Sequence, residues 1–139
     1  MVTCYIIDDD IHSIEAITKY IVRLPNLILI GSNINPLIAI EEIRNGKKPD
    51  IVFLGVEMPE LSGIEVADLL DPNIAIVFTT SYSKYAINAI QKDAMDFLLK
   101  PFSFEMFLKC IHKVKNKISL LKNDNKESDS KEIFVNTGI

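Results

Sequence analysis

The stretch DIVFLGVEMPELSG, residues Asp50–Gly63, decides the fold. Its apolar run, residues 51–54, is too short for a helix and is typical of a buried strand. The run ends at Gly55, and a loop carrying Met58-Pro59 and Ser62-Gly63 follows. Glycine is unfavourable at the end of a strand, because it packs no side chain and costs about 0.5–1 kcal/mol of backbone entropy relative to alanine. The choice of glycine at position 55 therefore calls for an explanation.

Similar apolar runs alternate with segments of helical periodicity along the whole chain. Because the strands read as continuous apolar runs, they indicate a parallel sheet covered on both faces, which predicts a doubly wound α/β fold. In such a sheet, ligands bind at the carboxyl ends of the strands. The predicted strands cover residues 2–7, 27–32, 50–54, 74–78 and 95–99, and the predicted helices cover residues 14–24, 37–43, 64–70, 84–91 and 104–121.

Composition limits the class of protein. The chain has 139 residues, of which 48% are hydrophobic and 24% charged, and this balance is typical of one globular domain. A net charge of −4 without a basic block gives no electrostatic footprint for nucleic acid. The sequence shows neither a long apolar span nor a signal-peptide pattern, so we expect a cytoplasmic protein that does not enter membranes. Cys4 and Cys110 are expected to be reduced and packed.

The composition changes after Leu121. Residues 122–132, KNDNKESDSKE, are almost free of apolar side chains and predict a polar linker. Residues 133–139, IFVNTGI, resemble the first strand of a further domain. The predicted organisation is a domain over residues 1–121, the linker, and the start of a truncated C-terminal domain. An ordinary frayed C-terminus is the alternative.

Polar residues collect where the predicted strands end. Two carboxylates, a hydroxyl and an ammonium group would meet there, a set that suggests phosphoryl chemistry with Mg²⁺, which prefers carboxylate and phosphate oxygens. A carboxylate at the centre of this set could attack a phosphoryl group and form an acyl phosphate, whereas glycine cannot. The residues at the strand ends are Asp8-Asp9-Asp10, Gly55 with Glu57, Thr79-Thr80-Ser81, and Lys100-Pro101.

Four ordered motifs resemble the receiver domain of two-component response regulators. They are Asp8-Asp9 after an apolar strand, PDIVFLGVEMPELSG (49–63), FTTS (78–81) and DFLLKPF (96–102). The segments AINAI (86–90) and AMDFLLKPF (94–102) are most similar to receivers of the LytTR (LytR/AlgR-like) class. The resemblance implies a flavodoxin-like sheet of order 2-1-3-4-5 with five flanking helices. It also implies that residues 133–139 begin a LytTR-like DNA-binding domain.

The resemblance also implies a role for each residue at the strand ends. Asp8 and Asp9 would hold Mg²⁺ together with the backbone carbonyl of Glu57. Thr80 would be the hydroxyl that moves toward a phosphoryl group, and Lys100 would contact that group. The aromatic switch position would be occupied by Phe97, and Pro101 would follow a cis peptide bond. The phosphoacceptor aspartate belongs at position 55, where this chain has Gly55.

The implied function is a non-enzymatic receiver module in phosphorelay signalling. Its implied partners are a sensor histidine kinase and its own C-terminal DNA-binding domain, while the receiver itself binds no nucleic acid. The alternative is a phosphorylation-independent pseudo-receiver that dimerises or docks through its predicted fourth helix, fifth strand and fifth helix. That face would carry Lys84, Tyr85, Phe104, Lys109, Lys113 and Lys117. A hydrolase is disfavoured, because no nucleophile elbow or glycine-rich phosphate loop is present.

Several simpler interpretations remain open. Asp8-Asp9-Asp10 could be a strand-to-helix turn in which Asp10 caps the next helix. Without an aspartate at position 55, Mg²⁺ affinity should fall, and Lys100 could pair directly with Asp8 or Asp9. The Glu57 carboxylate could occupy part of the missing charge. Gly55 could be natural, or it could be a single-base or engineered variant of an ordinary receiver.

Overall fold

In the computed structural model of the chain, five parallel strands form one sheet in the order β2-β1-β3-β4-β5. The structure describes residues 1–46, 48–82 and 95–136, with side chains through residue 122. The predicted sheet and strand order are confirmed. The predicted helix over residues 84–91 lies outside the described residues, which contain four helices. In chain order the elements are β1 (Val2–Ile7), α1 (Ile11–Val22), β2 (Leu27–Asn33), α2 (Pro36–Arg44), β3 (Ile51–Gly55), α3 (Gly63–Leu69), β4 (Ala75–Thr80), β5 (Asp96–Leu99) and α4 (Phe104–Asn136).

The sheet is buried on both faces, which explains why its central strands carry continuous apolar runs. Successive residues of a strand point to opposite faces. In β3, Ile51 and Phe53 therefore join a core cluster with residues of α1 and α4, whereas Val52 and Leu54 join a second cluster with residues of α2 and α3. Every residue of β3 is buried. The two core clusters hold the strand ends in fixed positions.

Local capping signals begin the first three helices. The Asp10 carboxylate accepts a hydrogen bond from the His12 N–H, so the interpretation of Asp10 as a cap is confirmed. Asn35 caps α2 in the same way ahead of Pro36. Ser62 and Glu65 form a reciprocal pair at the start of α3, with both contacts at 3.2 Å. These caps set where the chain leaves the carboxyl end of the sheet.

The last helix is longer than the sequence predicts. The periodicity predicts an end near Leu121, but α4 continues to Asn136 and includes the segment predicted as a polar linker. Residues 133–136 are likewise helical and do not form the predicted strand. The chain has no glycine or proline between Phe102 and Thr137, so nothing in this stretch breaks a helix once it has begun. The domain boundary itself stays a prediction.

Two further features bear on the predicted chemistry. Cys4 and Cys110 are free thiols buried in the same core cluster, in agreement with the predicted packing role. Across the part of the chain that the structure describes, none of the helices combines the length and apolar character that a membrane crossing requires.

Candidate functional site at the carboxyl end of the sheet

The carboxyl ends of four strands bring the predicted polar residues together. Asp8 follows β1, Gly55 ends β3, Thr79 and Thr80 end β4, and Lys100 follows β5. Gly55 lies directly beside Thr79 in the β3–β4 register. Asp8 and both threonines are buried, with at most 1% of their surface exposed. The sheet edge thus contains a compact polar site, as the sequence predicts.

The Asp8 side chain lies against the bare backbone of Gly55. A Cβ atom at position 55 would lie 2.8 Å from Asp8 Cγ and 2.9 and 3.0 Å from its two carboxylate oxygens. These distances are shorter than ordinary van der Waals contacts. Position 55 therefore faces the polar site, and the Asp8 carboxylate takes up the space that a side chain there would need.

Lys100 neutralises the Asp8 carboxylate. Its Nζ atom lies 3.0 Å from Asp8 Oδ2 and 3.3 Å from Oδ1, and only 16% of the Lys100 side chain is exposed. The predicted direct pairing of Lys100 is thus confirmed for Asp8. The second contact of Lys100 is with Asp10, at 3.6 Å, and not with Asp9.

Two other donors complete the Asp8 environment. The Thr79 hydroxyl donates to Asp8 Oδ2 at 2.9 Å, and the Asp10 N–H donates to Oδ1 at 3.0 Å. Sequence reasoning placed Thr79 at the strand end but gave it no role. The register that pairs Gly55 with Thr79 is the signal that could have identified it.

The neighbouring aspartates differ in their electrostatics. Asp9 is exposed, and its pKa is raised, first by partial desolvation and then by the adjacent Asp8 charge. Partial desolvation also acts on Asp10, but hydrogen bonds from the His12 N–H and the Ser13 hydroxyl outweigh it and lower the pKa of Asp10. Asp9 is therefore less favourably placed as a negative charge than Asp10.

Glu57 makes a contact that the sequence does not predict. The Thr80 hydroxyl donates to Glu57 Oε1 at 2.5 Å and accepts a hydrogen bond from the Tyr82 N–H at 3.1 Å. The sequence leaves open whether the Glu57 carboxylate occupies part of the missing charge at position 55. It bonds to Thr80, while Lys100 remains with Asp8.

The remaining predicted site residues are near the end of β5. The Lys100-Pro101 peptide bond is cis, as the sequence predicts. Phe97 is half-buried and packs against the core cluster formed with α2 and α3, which confirms the expected half-buried aromatic. Its neighbour across the β4–β5 register is Phe78.

Comparison with known proteins identifies the family. The model of the response regulator receiver domain matches residues 4–112. The chain belongs to this family. Asp8, Thr80 and Lys100 therefore lie at the carboxyl edge of the sheet of a receiver domain.

Related sequences cover the receiver but extend well beyond its length. A response regulatory protein of Vibrio vulnificus, described only as uncharacterized, is 35% identical over 116 residues, which are 82% of this chain and 48% of the relative. The transcriptional regulatory protein BtsR of Salmonella typhi is 31% identical over 121 residues, 86% of this chain and 50% of BtsR. The chain spans about half the length of these curated relatives.

Solved structures have the same fold. The signal receiver domain of a putative LuxO repressor protein from Vibrio parahaemolyticus superposes with a TM-score of 0.75 at 21% identity. The superposition covers 87% of this chain and 95% of that domain. This likeness supports the doubly wound α/β architecture.

The residues implied for Mg²⁺ do not fit a metal ion as they are arranged. Both Asp8 oxygens already accept hydrogen bonds, and Lys100 supplies the positive charge. Within residues 1–46, 48–82 and 95–136, no three acidic, histidine or cysteine side chains lie close enough together to hold a metal.

The face predicted for dimerisation is described only in part. Lys84 and Tyr85 lie outside the described residues. Phe104 packs on α1, where its ring centroid is 5.3 Å from that of Tyr20 and the Arg23 guanidinium lies 3.9 Å above it. Its aromatic surface is therefore engaged within the domain. The lysines at positions 109, 113 and 117 are exposed on α4.

Proposed function

We propose that this receiver is a regulatory module of a two-component response regulator that cannot be phosphorylated on aspartate. The observation that carries the proposal is the absence of a side chain at Gly55, with the Asp8 carboxylate packed into the adjoining space. An acyl phosphate needs a carboxylate nucleophile at this position, and glycine has none. The module is not an enzyme in this proposal.

The proposed output is transcriptional regulation through a C-terminal DNA-binding domain of the LytTR class. Two observations support it. One relative is named as a transcriptional regulatory protein, and the chain spans only half of that protein. The segment AMDFLLKPF also resembles LytTR-class receivers. A sensor histidine kinase is the proposed partner if the signalling input is retained, with Thr80 and Phe97 as the switch residues and Mg²⁺ binding only weakly.

A phosphorylation-independent interaction module is the second candidate. The observation that favours it is the internal pairing of the site, Lys100 with Asp8 and Thr80 with Glu57. A site with its charges and donors already paired needs no external ligand to be stable. In this case, dimerisation through the face predicted to comprise residues 84–91, β5 and α4 would be independent of Mg²⁺ and of the phosphoryl mimic beryllofluoride.

Intact mass spectrometry after incubation with acetyl phosphate and Mg²⁺ tests the proposal. We expect no phosphoryl adduct on the unsubstituted chain and one adduct on Gly55→Asp. An adduct on the unsubstituted chain would contradict the claim that it cannot be phosphorylated. If neither protein reacts, the site lacks more than the phosphoacceptor side chain, and this result would favour the interaction module. Size-exclusion chromatography of the same samples reports the oligomeric state.

A further inference from the structure

We infer that the Glu57 carboxylate is a built-in acceptor that fixes the Thr80 hydroxyl without phosphate. Glu57 follows Gly55 by two residues and reaches across to the end of β4, where Thr80 is fully buried. Its Oε1 atom lies 2.5 Å from Thr80 Oγ1. This inference rests on the proposed function only in assigning a switch role to Thr80.

The contact with Glu57 occupies the Thr80 hydroxyl as a hydrogen-bond donor, which is the function that a switch hydroxyl needs free. A threonine hydroxyl has one proton to donate, and here that proton goes to Glu57. The Tyr82 N–H approaches the same oxygen as a donor. An external oxyanion would need the same hydroxyl proton, so it would have to compete with the Glu57 carboxylate. Hydrogen bonds to a charged acceptor are among the stronger ones in proteins.

The loop that carries Glu57 is anchored on both sides of this residue. The Val56 N–H donates to the Thr79 carbonyl at 3.0 Å, and the Val56 carbonyl accepts from the Gly63 N–H at 2.8 Å. On the other side, Met58 is buried in the core cluster of α2 and α3. Glu57 is thus an exposed residue between two fixed ones, and its carboxylate does not need to order a free loop to reach Thr80.

Charge separation at the site supports the same assignment. Lys100 contacts Asp8 and Asp10, and none of its contacts is with Glu57. Asp8 and Glu57 therefore have separate partners: an ammonium group for Asp8 and a hydroxyl for Glu57. The two sets form independently, so a substitution of Glu57 should leave the Asp8–Lys100 pair intact.

A double-mutant cycle between Glu57 and Thr80 tests the inference on the natural sequence. The variants are Glu57→Ala, Thr80→Val and the pair, and the measurement is the unfolding equilibrium constant in urea. We expect coupling of about tenfold, the range for a hydrogen bond to a charged group. Additive effects would overturn the inference. Glu57 is exposed, so its substitution should leave a folded protein for the measurement.

The Thr80 methyl resonance reports directly on the contact between Glu57 and the Thr80 hydroxyl. We expect Glu57→Ala to shift it, Glu57→Gln to retain most of its natural position because an amide oxygen can still accept, and the loop control Glu60→Ala to leave it unchanged. A Thr80 resonance that is the same in Glu57→Ala and the natural protein would overturn the inference.

Beryllofluoride binding separates failure of this inference from failure of the proposed function. In the Gly55→Asp background, Glu57→Ala should bind the mimic more tightly, because the competing carboxylate is gone. If Gly55→Asp does not bind beryllofluoride at all, the receiver switch fails as a proposed function, while the coupling measured on the natural sequence still decides the role of Glu57. Equal affinity for beryllofluoride in Gly55→Asp with and without Glu57→Ala would contradict the proposed competition.

Discussion

An aspartate ties strands of the sheet together at each end, and the two ties differ in kind: the Asp50 tie joins β1 to β3, whereas the Asp8 tie joins β1 to β4 and β5. At the amino end, Asp50 accepts hydrogen bonds from the Thr3 N–H at 2.9 Å and the Thr3 hydroxyl at 3.2 Å. At the carboxyl end, Asp8 lies beside Gly55 and takes its positive partner, Lys100, from the end of β5.

The difference shows what Gly55 changes. The Asp50 tie joins two neighbouring strands through an uncharged partner, so its role is confined to holding the sheet together. The Asp8 tie spans the sheet edge from β1 to β5, and it crosses the place where a side chain at position 55 would lie. The carboxyl end is therefore the part of this receiver whose charge arrangement depends on a single missing side chain.

The largest expected effect comes from removing the long-range partner. Lys100→Met should destabilise the protein by about 3 kcal/mol, because it leaves the buried Asp8 carboxylate without a positive charge. Urea unfolding measures the change. The matched control is Lys48→Met, which breaks an exposed pair with Asp71 at 2.7 Å and should lower the free energy of unfolding far less, because exposed ion pairs contribute little to stability.

Adding Asp8→Asn to Lys100→Met should recover most of the lost stability, since the double variant no longer buries an unpaired charge. Equal losses in Lys100→Met and Lys48→Met would show that the Asp8 tie is no stronger than a surface pair. The contrast between the two ends of the sheet would then have no energetic basis.

The next effect distinguishes two glycines on either side of the same loop. A Cβ atom at Gly63 would lie 2.2 Å from the Gly55 carbonyl oxygen, which is backbone, whereas the three atoms nearest to one at Gly55 all belong to the Asp8 side chain. Gly63→Ala should cost about 2–3 kcal/mol, as overpacking does where backbone must move. Gly55→Ala should cost at least about 1 kcal/mol less, because a side chain can rotate away and alanine favours the strand.

Thermal and urea unfolding of the two alanine variants check this order. A Gly55→Ala variant as unstable as Gly63→Ala would mean that the Asp8 side chain is held as rigidly as backbone. That result would indicate a stronger Asp8–Lys100 contact and a larger contrast between the two ends of the sheet.

The smallest effect concerns pH. The pKa of Asp9 is raised above its ordinary value of 3.8, so the folded protein binds this proton more tightly than the unfolded chain does. Its charge therefore lowers stability progressively as pH rises from about 3.8 through the higher folded value. Asp9→Asn should stabilise the protein at pH 7 by less than about 0.5 kcal/mol, since Asp9 is exposed and screened.

Unfolding of Asp9→Asn and the natural protein at pH 7 and near pH 3.5 measures this difference. The advantage of the variant should shrink in acid, where Asp9 is mostly protonated in both states. A constant advantage at both pH values would attribute it to something other than the Asp9 charge.

The sequence predicts the architecture well because its signals are local and redundant. Continuous apolar runs such as residues 51–54 require burial on both faces, and the capping residues Asp10 and Ser62 begin helices where they stand. The convergence of Asp8, Thr80 and Lys100 follows from the parallel sheet alone. These features need no knowledge of distances.

The pairings at the site could not be predicted, because they depend on ångström-scale positions. The sequence left Asp8 and Asp9 as equal candidates for Lys100, and burial selects Asp8. The Glu57–Thr80 contact depends on how Val56 and Met58 anchor the loop. The continuation of α4 to Asn136 was missed because polar composition indicates a linker, although that segment contains no glycine or proline.

Magnesium titration followed by amide NMR tests most directly the claim that Lys100 takes the charge-balancing place beside Asp8. The account predicts no saturable binding by the natural protein at millimolar Mg²⁺, and measurable binding by Gly55→Asp, which restores a carboxylate to the site. The residues to follow are Asp8, Asp9 and Glu57. Binding by the natural protein as tight as that of Gly55→Asp would contradict the account, because it would show that the Asp8–Lys100 pair does not occupy the site.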